Sequence, residues 1–260
     1  MKKISLITVC FNSESTVIDT LKSVADQTYS NIEHIVIDGG STDSTMELVS
    51  QYGSRVSKSI SEKDKGIYDA YNKGLLLATG EIIGFINSDD FYFSDETILK
   101  VMSVFEDSTI EACHANLIYV NSINTNIIKR LWKSWDFKDS DFKKGSIPAH
   151  PTVFFRRDVY ERFGNFDINF KLVADHDFLL RAFYVNKIKS VYIDEPWVRM
   201  RSGGATGGNL KSIIKQNLQI RAAQKKNGIN SSLLIFIVTK FLDRIKQSFK
   251  SNYNKSFFNS

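Results

Sequence analysis

Four short strings in this sequence hold side chains able to do chemistry. In "IIGFINSDDF" (82–91) an apolar run, Ile82 to Ile86, ends at Asn87, Ser88 and two adjacent carboxylates, Asp89 and Asp90. Neighbouring ionised carboxylates repel, and each resists losing its water. Such a pair either stays solvated in a turn that caps the next helix or holds a cation. "VIDGGSTD" (36–43) sets Asp38 before two glycines, with Ser41 or Thr42 available as a helix N-cap. "TVCFN" (8–12) offers Thr8, Phe11 and Asn12. "VADHDFLLR" (173–181) puts Asp175, His176 and Asp177 at the start of an apolar helical stripe, where the helix dipole alone would favour acids. A His between two Asp lacks a recognised metal-ligand spacing, so no metal cluster is read there. Taken singly, each string has an ordinary structural explanation.

The elements that must position these residues alternate regularly through the first 110 residues. "ISLITVC", "IEHIVID", "RVSKSI" and "EIIGFIN" read as strands. Between them, Val17, Leu21 and Val24 recur at helical spacing, and "STDSTMELVSQY" and "DKGIYDAYNKGLLLATG" behave alike, the last with Gly80 as its expected C-cap. Strands alternating with helices predict βαβ units and a mostly parallel sheet. In such sheets ligands bind at the carboxyl ends of the strands. Three of the four strand ends carry the acidic and polar strings, and that convergence favours a site. Past residue 110 the pattern becomes mixed, with "IEACHANLIYV" and "NIIKRLW" suggesting a hairpin or sheet extension.

The 260-residue length fits one large domain, or one domain with an appendage, and 42% hydrophobic content supports a real core. The opening apolar run is about seven residues with no small-x-small pattern after it, so it reads as a first strand and not as a secretion signal. Cys10 and Cys113 form no metal or redox spacing, which suits a reducing cytoplasm. Charge is unevenly spread. Ten of the 34 Lys+Arg and one of the 29 Asp+Glu lie beyond residue 210, giving a tail of +9 and a body of −4. No G-x-G-x-x-G follows the first strand, which disfavours a nicotinamide enzyme.

In order and at this spacing, the strings resemble the family 2 glycosyltransferases, the inverting class with a GT-A fold, and among them bacterial members that build surface polysaccharides. The similarity covers about residues 3–205. "ITVCFN" resembles the nucleotide-contacting first strand, and "VIDGGSTDST" the V-D-D/G-G-S-T-D turn. "KGIYDAYNKGLLLATGEIIGFINSDD" resembles the segment that runs from G-x-x-x-A-x-N-x-G to D/N-x-D-D. "VADHDFLLR" resembles the E/A-D-Y-D/E-L-W-L-R element. The implied fold is α/β, a Rossmann-like mostly parallel sheet flanked by helices over residues 1–208, with a C-terminal helical appendage at 209–260.

The resemblance also implies roles. Asp90 would ligate Mn²⁺ or Mg²⁺ bridging the donor diphosphate, and Asp89 would contact the ribose side. Thr8, Phe11 and Asp38 would meet the nucleobase, Phe11 by stacking and Asp38 by accepting from a ring N–H. Asp69 would border the donor sugar, although with Lys73 it could form only an i,i+4 ion pair. Asp175 would be the general base that deprotonates the acceptor hydroxyl. Asp177 competes on chemistry alone, yet residues i and i+2 of a helix do not share a face. This chain departs from the pattern at Gly39, where many relatives carry a second acid, and at Ala174, where a Glu is usual. His150 would lie near the acceptor or serve structure. "RMRSGGAT", with Arg199, Arg201, Gly203 and Gly204, resembles a closing loop in which an Arg could meet diphosphate, or is a plain Gly-rich loop.

The expected activity is transfer of a sugar from a nucleoside diphosphate sugar, UDP favoured, to a saccharide acceptor carried on lipid. Two other readings use the same residues: transfer to polyprenyl phosphate, and a catalytically silent sugar-nucleotide-binding module. In the tail, Leu234, Val238, Phe241, Leu242, Ile245 and Phe249 fall at helical spacing among basic residues. This predicts a helix lying on an anionic inner-membrane surface, or packed on the domain with its basic side in water. No nucleic-acid motif accompanies the basic residues.

Overall fold

A computed structural model describes residues 1–203 and 210–230. The first half is the expected alternation: β1 (Ile4–Cys10), α1 (Val17–Ala25), β2 (Ile32–Asp38), α2 (Thr45–Tyr52), β3 (Val56–Ser61), α3 (Ile67–Leu77) and β4 (Ile82–Phe85). β1 is buried along its whole length and β2 along nearly all of it, because helices cover both faces. β3 is an edge strand that alternates between half-buried and exposed positions. α1 turns Val17, Thr20, Leu21 and Val24 inward, the stripe its spacing predicts.

The second half contains β5 (Asp90–Tyr92), α4 (Thr97–Val104), β6 (Ala112–Val120), β7 (Ile128–Trp132), α5 (Asp139–Lys143), β8 (Phe154–Arg156), α6 (Arg157–Phe163), α7 (Ala174–Leu179), β9 (Ser190–Arg201) and α8 (Leu210–Lys226). The sheet order is β3-β2-β1-β4-β8-β6-β9-β5, with β7 on β6. β3, β2, β1 and β4 are parallel throughout. β8 then runs antiparallel to both neighbours, β9 parallel to β6, and β5 antiparallel to β9. The fold is α/β, and β6–β7 form the expected antiparallel pair.

Two glycines fix close approaches. Gly80 does not cap α3 as expected, since the helix ends in extended backbone at Ala78. A Cβ on Gly80 would stand 2.5 Å from the Ser5 amide nitrogen, so glycine is needed for the chain to pass β1. At Gly84 in β4, a Cβ would meet the Phe154 ring at 2.4 Å.

α8 packs against the body. Gln219 accepts from the Leu172 amide (3.0 Å), Gln224 donates to the Phe142 carbonyl (2.9 Å), and Ile220 packs with Val173. The opening of the basic tail is therefore docked. The stripe from Leu234 to Phe249 lies outside the described residues. None of the described helices is long and apolar enough to cross a membrane.

Candidate active site

Parallel pairing brings the carboxyl ends of β1, β2 and β4 to one edge, where their loops cross-link. The Asn12 amide donates to Ser41 Oγ (2.7 Å), and Asn12 Oδ1 accepts from the Thr42 amide (2.9 Å). The Ser13 amide donates to Thr45 Oγ1 (2.7 Å), while the Ser13 and Ser88 hydroxyls lie 2.8 Å apart. Asn12 takes a positive φ of 48°, a conformation asparagine tolerates better than most residues.

Asp90 sits at the centre of this edge, fully buried. Its backbone is fixed by β9 on one side and by Thr20 Oγ1, which donates to its carbonyl at 2.6 Å. Asn87 Nδ2 donates to Asp90 Oδ2 (3.2 Å), whereas among the described residues buried Oδ1 has no hydrogen-bond donor. Burial and then the charge of Asp89 push the Asp90 carboxyl well above the usual range, with Asn87 and Arg201 pulling back. Asp89, half-buried beside it, is also raised, chiefly by burial.

A buried carboxylate oxygen without a donor is costly unless something else satisfies it. A hard divalent cation is the partner that such an oxygen suits. Among the described residues no three His, Cys, Asp or Glu side chains converge, so a cation at Asp90 would take further ligands from substrate phosphate and water. That is the habit of Mg²⁺-type sites. The chemistry of this oxygen suits a divalent cation.

Asp175 lies in the first turn of α7 and is half-buried. Tyr68 donates its hydroxyl to Asp175 Oδ1 at 2.7 Å. The Tyr68 ring meets Tyr71 edge-on at 5.8 Å, and the Tyr71 hydroxyl donates to Asn87 Oδ1 at 2.5 Å. A chain of contacts thus runs from Asp175 through Tyr68, Tyr71 and Asn87 to Asp90. Burial first, then the charges of Asp175, Asp90 and Asp89, push the Tyr71 phenol well above its ordinary pKa, so it remains a donor. His150 is buried between Tyr71, Phe85 and Phe166, and among the described residues Nε2 lacks a partner. Burial lowers its pKa, while the Asp175 charge opposes that shift.

Asp177 points elsewhere, as the helical spacing requires. It is fully buried and bound by Arg181 (3.1 Å), Lys226 (3.2 Å) and Asn227 (2.9 Å), joining α7 to the end of α8.

The remaining candidates divide. Phe11 is 62% exposed at the tip of the β1 loop, free to take a flat ligand. Asp38 is enclosed: it accepts from the Gly40 and Ser41 amides and from the Ser41, Ser61 and Cys10 side chains. Burial pushes its carboxyl up, and the hydrogen bonds outweigh this and hold it below the usual range. Thr8 is buried and pairs with His34 Nε2 (2.9 Å). Asp69 accepts from the Lys65 amide (3.0 Å) and lies 3.8 Å from Lys73. Arg201 is on β9, where it donates to the Asp89 carbonyl (2.7 Å) and pairs with Asp19, so it buttresses the acidic loop. Gly204 lies outside the described residues.

Tyr68 and Tyr71 were not singled out from sequence, and Asn87 was named only as part of the string before the paired carboxylates. The only local signal is that both tyrosines fall on the inward stripe of "IYDAYNKG", three residues apart.

This arrangement belongs to a known class. The profile of Glycosyl transferase family 2 matches residues 5–164, and the chain belongs to that family. Among curated proteins it is 28% identical over 182 residues to a PGL/p-HBAD biosynthesis glycosyltransferase of Mycobacterium tuberculosis, covering 69% of each chain. It is 23% identical over 221 residues to the Escherichia coli UDP-Glc:alpha-D-GlcNAc-diphosphoundecaprenol beta-1,3-glucosyltransferase WfaP, covering 84% and 85%. Among solved structures it is similar to S. aureus TarS 1-349 in complex with UDP-GlcNAc, with TM-score 0.66 and 19% identity over 98% of this chain and 76% of that one. It spans 44% of the longer TarS chain. It also resembles the Pyrobaculum calidifontis mannosyltransferase PcManGT in complex with GDP-Man and Mn²⁺, with TM-score 0.61 and 15% identity over 94% and 80%. At these identities the structural likeness establishes the GT-A fold.

Proposed function

We propose that this glycosyltransferase moves a sugar, with inversion, from a UDP-sugar to a saccharide carried on lipid, in cell-surface polysaccharide synthesis. The observation that carries the reading is the opposition of two acids across Tyr71: buried Asp90 with an unsatisfied oxygen, and half-buried Asp175. Support for the donor and acceptor comes from the names of WfaP and of the TarS complex. In this reading Asp175 takes the proton of the acceptor hydroxyl, whose oxygen attacks the anomeric carbon as the bond to the diphosphate breaks on the opposite face. Tyr68 holds the Asp175 carboxylate in place. A cation at Asp90, Mn²⁺ or Mg²⁺, would offset the charge of the leaving diphosphate. Phe11 offers a stacking face for the base, and Asp89 the ribose side.

The domain reading is residues 1–208 as catalytic body and 209–260 as a basic appendage, working at the cytoplasmic face of the membrane. The test is turnover of a UDP-sugar panel on a lipid-diphosphate saccharide acceptor, with the product's anomeric configuration read by proton NMR. An α-linked donor should give a β-linked product, and Asp175→Asn should abolish it. A product that keeps the donor's configuration would refute the mechanism.

A further inference from the structure

We infer that Asp64, in the loop between β3 and α3, is a nucleobase-reading acid of the nucleotide site. It supplies from a different segment the carboxylate that the β2 turn lacks at Gly39. The inference rests on the nucleotide-binding reading above.

Three observations meet at one point in space. A Cβ built on Gly39 would stand 2.6 Å from Asp64 Oδ2 and 3.4 Å from Phe11 Cδ2. The Asp64 carboxylate and the exposed Phe11 ring therefore face the same small volume above residue 39. Gly39 itself has an ordinary backbone conformation, so its lack of a side chain is a matter of space. The loop is held there because the Glu62 amide donates to the Asp38 carbonyl (3.0 Å). Asp64 Oδ1 accepts from the Gly66 amide (2.8 Å), which aims the carboxylate. Among the described residues Oδ2 accepts no hydrogen bond.

Asp38 is unsuited to the same task in this arrangement, since five donors already surround it. An exposed aromatic face with a half-buried carboxylate at its side suits a stacked base with a ring N–H at its edge. Uracil carries such an N–H, and cytosine does not. The discriminating group would be Asp64 Oδ2, beside the base that Phe11 supports.

The test is calorimetric titration of UDP and CDP, with Mn²⁺, into wild type, Asp64→Asn, Asp64→Ala and the double variant Gly39→Asp/Asp64→Ala. Asp64→Asn keeps an oxygen for the Gly66 amide, so it removes the charged acceptor without undoing the loop. Loss of a hydrogen bond to a charged group should weaken UDP by about tenfold or more and shrink the UDP-over-CDP preference. The double variant restores a carboxylate at the same place and should recover UDP binding relative to Asp64→Ala. Wild-type affinity and unchanged base preference in Asp64→Asn would overturn the assignment. If wild type binds no nucleoside diphosphate, the nucleotide site itself is wrong and the assignment falls with it.

Discussion

Asp177→Asn should unfold the protein early while sparing its chemistry, and Asp175→Asn should do the reverse. Asp177 has no exposed surface and sits between Arg181 and Lys226, with Asn227 donating to its other oxygen. Removing one partner of a buried ion pair typically costs about 3–5 kcal/mol, because the opposite charge is left uncompensated. Here the lower end applies: Lys226 is 43% exposed, so water screens part of the pair. Arg181 also keeps its bonds to the Phe163, Gly164 and Asn165 carbonyls. A loss of about 3 kcal/mol at 2–4 °C per kcal/mol lowers the midpoint by about 6–12 °C. Among the described residues Asp175 bridges no such pair, and its exchange for Asn should move the midpoint by less than about 2 °C. Differential scanning fluorimetry gives the midpoints, and donor turnover well below them gives the activities. A midpoint for Asp177→Asn within about 2 °C of wild type would refute the burial argument. Equal loss of turnover in both variants, each folded, would refute the division of roles.

Acid should weaken the fold through His34. Burial lowers its pKa from 6.5 to about 4, so the neutral ring is the form the fold accepts. As pH falls from 6.5 to 4 the unfolded chain binds a proton that the folded chain refuses, and up to about 3 kcal/mol is lost. His34→Gln should flatten midpoint against pH in that window. Glu33 acts lower: burial would raise its carboxyl, but bonds from Ser5, Thr79 and Lys58 hold it at about 2. Its contribution is present above the ordinary 4.5 and fades towards pH 2, so Glu33→Gln should lower the midpoint by a constant amount above pH 4.5 and remove the slope between 4.5 and 2. Gly84→Ala should cost about 1–3 kcal/mol by overpacking the Phe154 ring, read as a lower urea midpoint at unchanged slope.

The parallel half of the sheet was legible because local pattern and tertiary role agree there. Buried strands read as apolar runs, α1 reads as a stripe, and β1, β2 and β4 each end in a polar string. The mixed half was harder. β8 is three residues long and pairs with strands distant in sequence, and β9 follows a π-helical turn at Leu180–Val185 that spacing rules do not anticipate. At the site, helical spacing said only that Asp175 and Asp177 would face different ways; naming Asp175 came from the resemblance. The fates of Thr8, Asp38 and Arg201 were not legible, since each is decided by partners from other segments. Tyr71 was hidden for the same reason: a tyrosine on an inward stripe reads as core until Asn87 is seen at its hydroxyl. Gly80 was misread because a glycine after a helix signals a cap, whereas here it admits a neighbouring strand.

The central claim is that the acidic edge binds a nucleoside diphosphate through a cation at Asp90. Its most direct test is titration of UDP into wild type and Asp90→Asn, each with and without Mn²⁺. Because the substitution relieves a buried carboxylate with an unsatisfied oxygen, the variant should be folded and at least as stable as wild type. The account predicts UDP binding to wild type that requires Mn²⁺ and is lost in Asp90→Asn. Equal, Mn²⁺-dependent binding in the folded variant would contradict it.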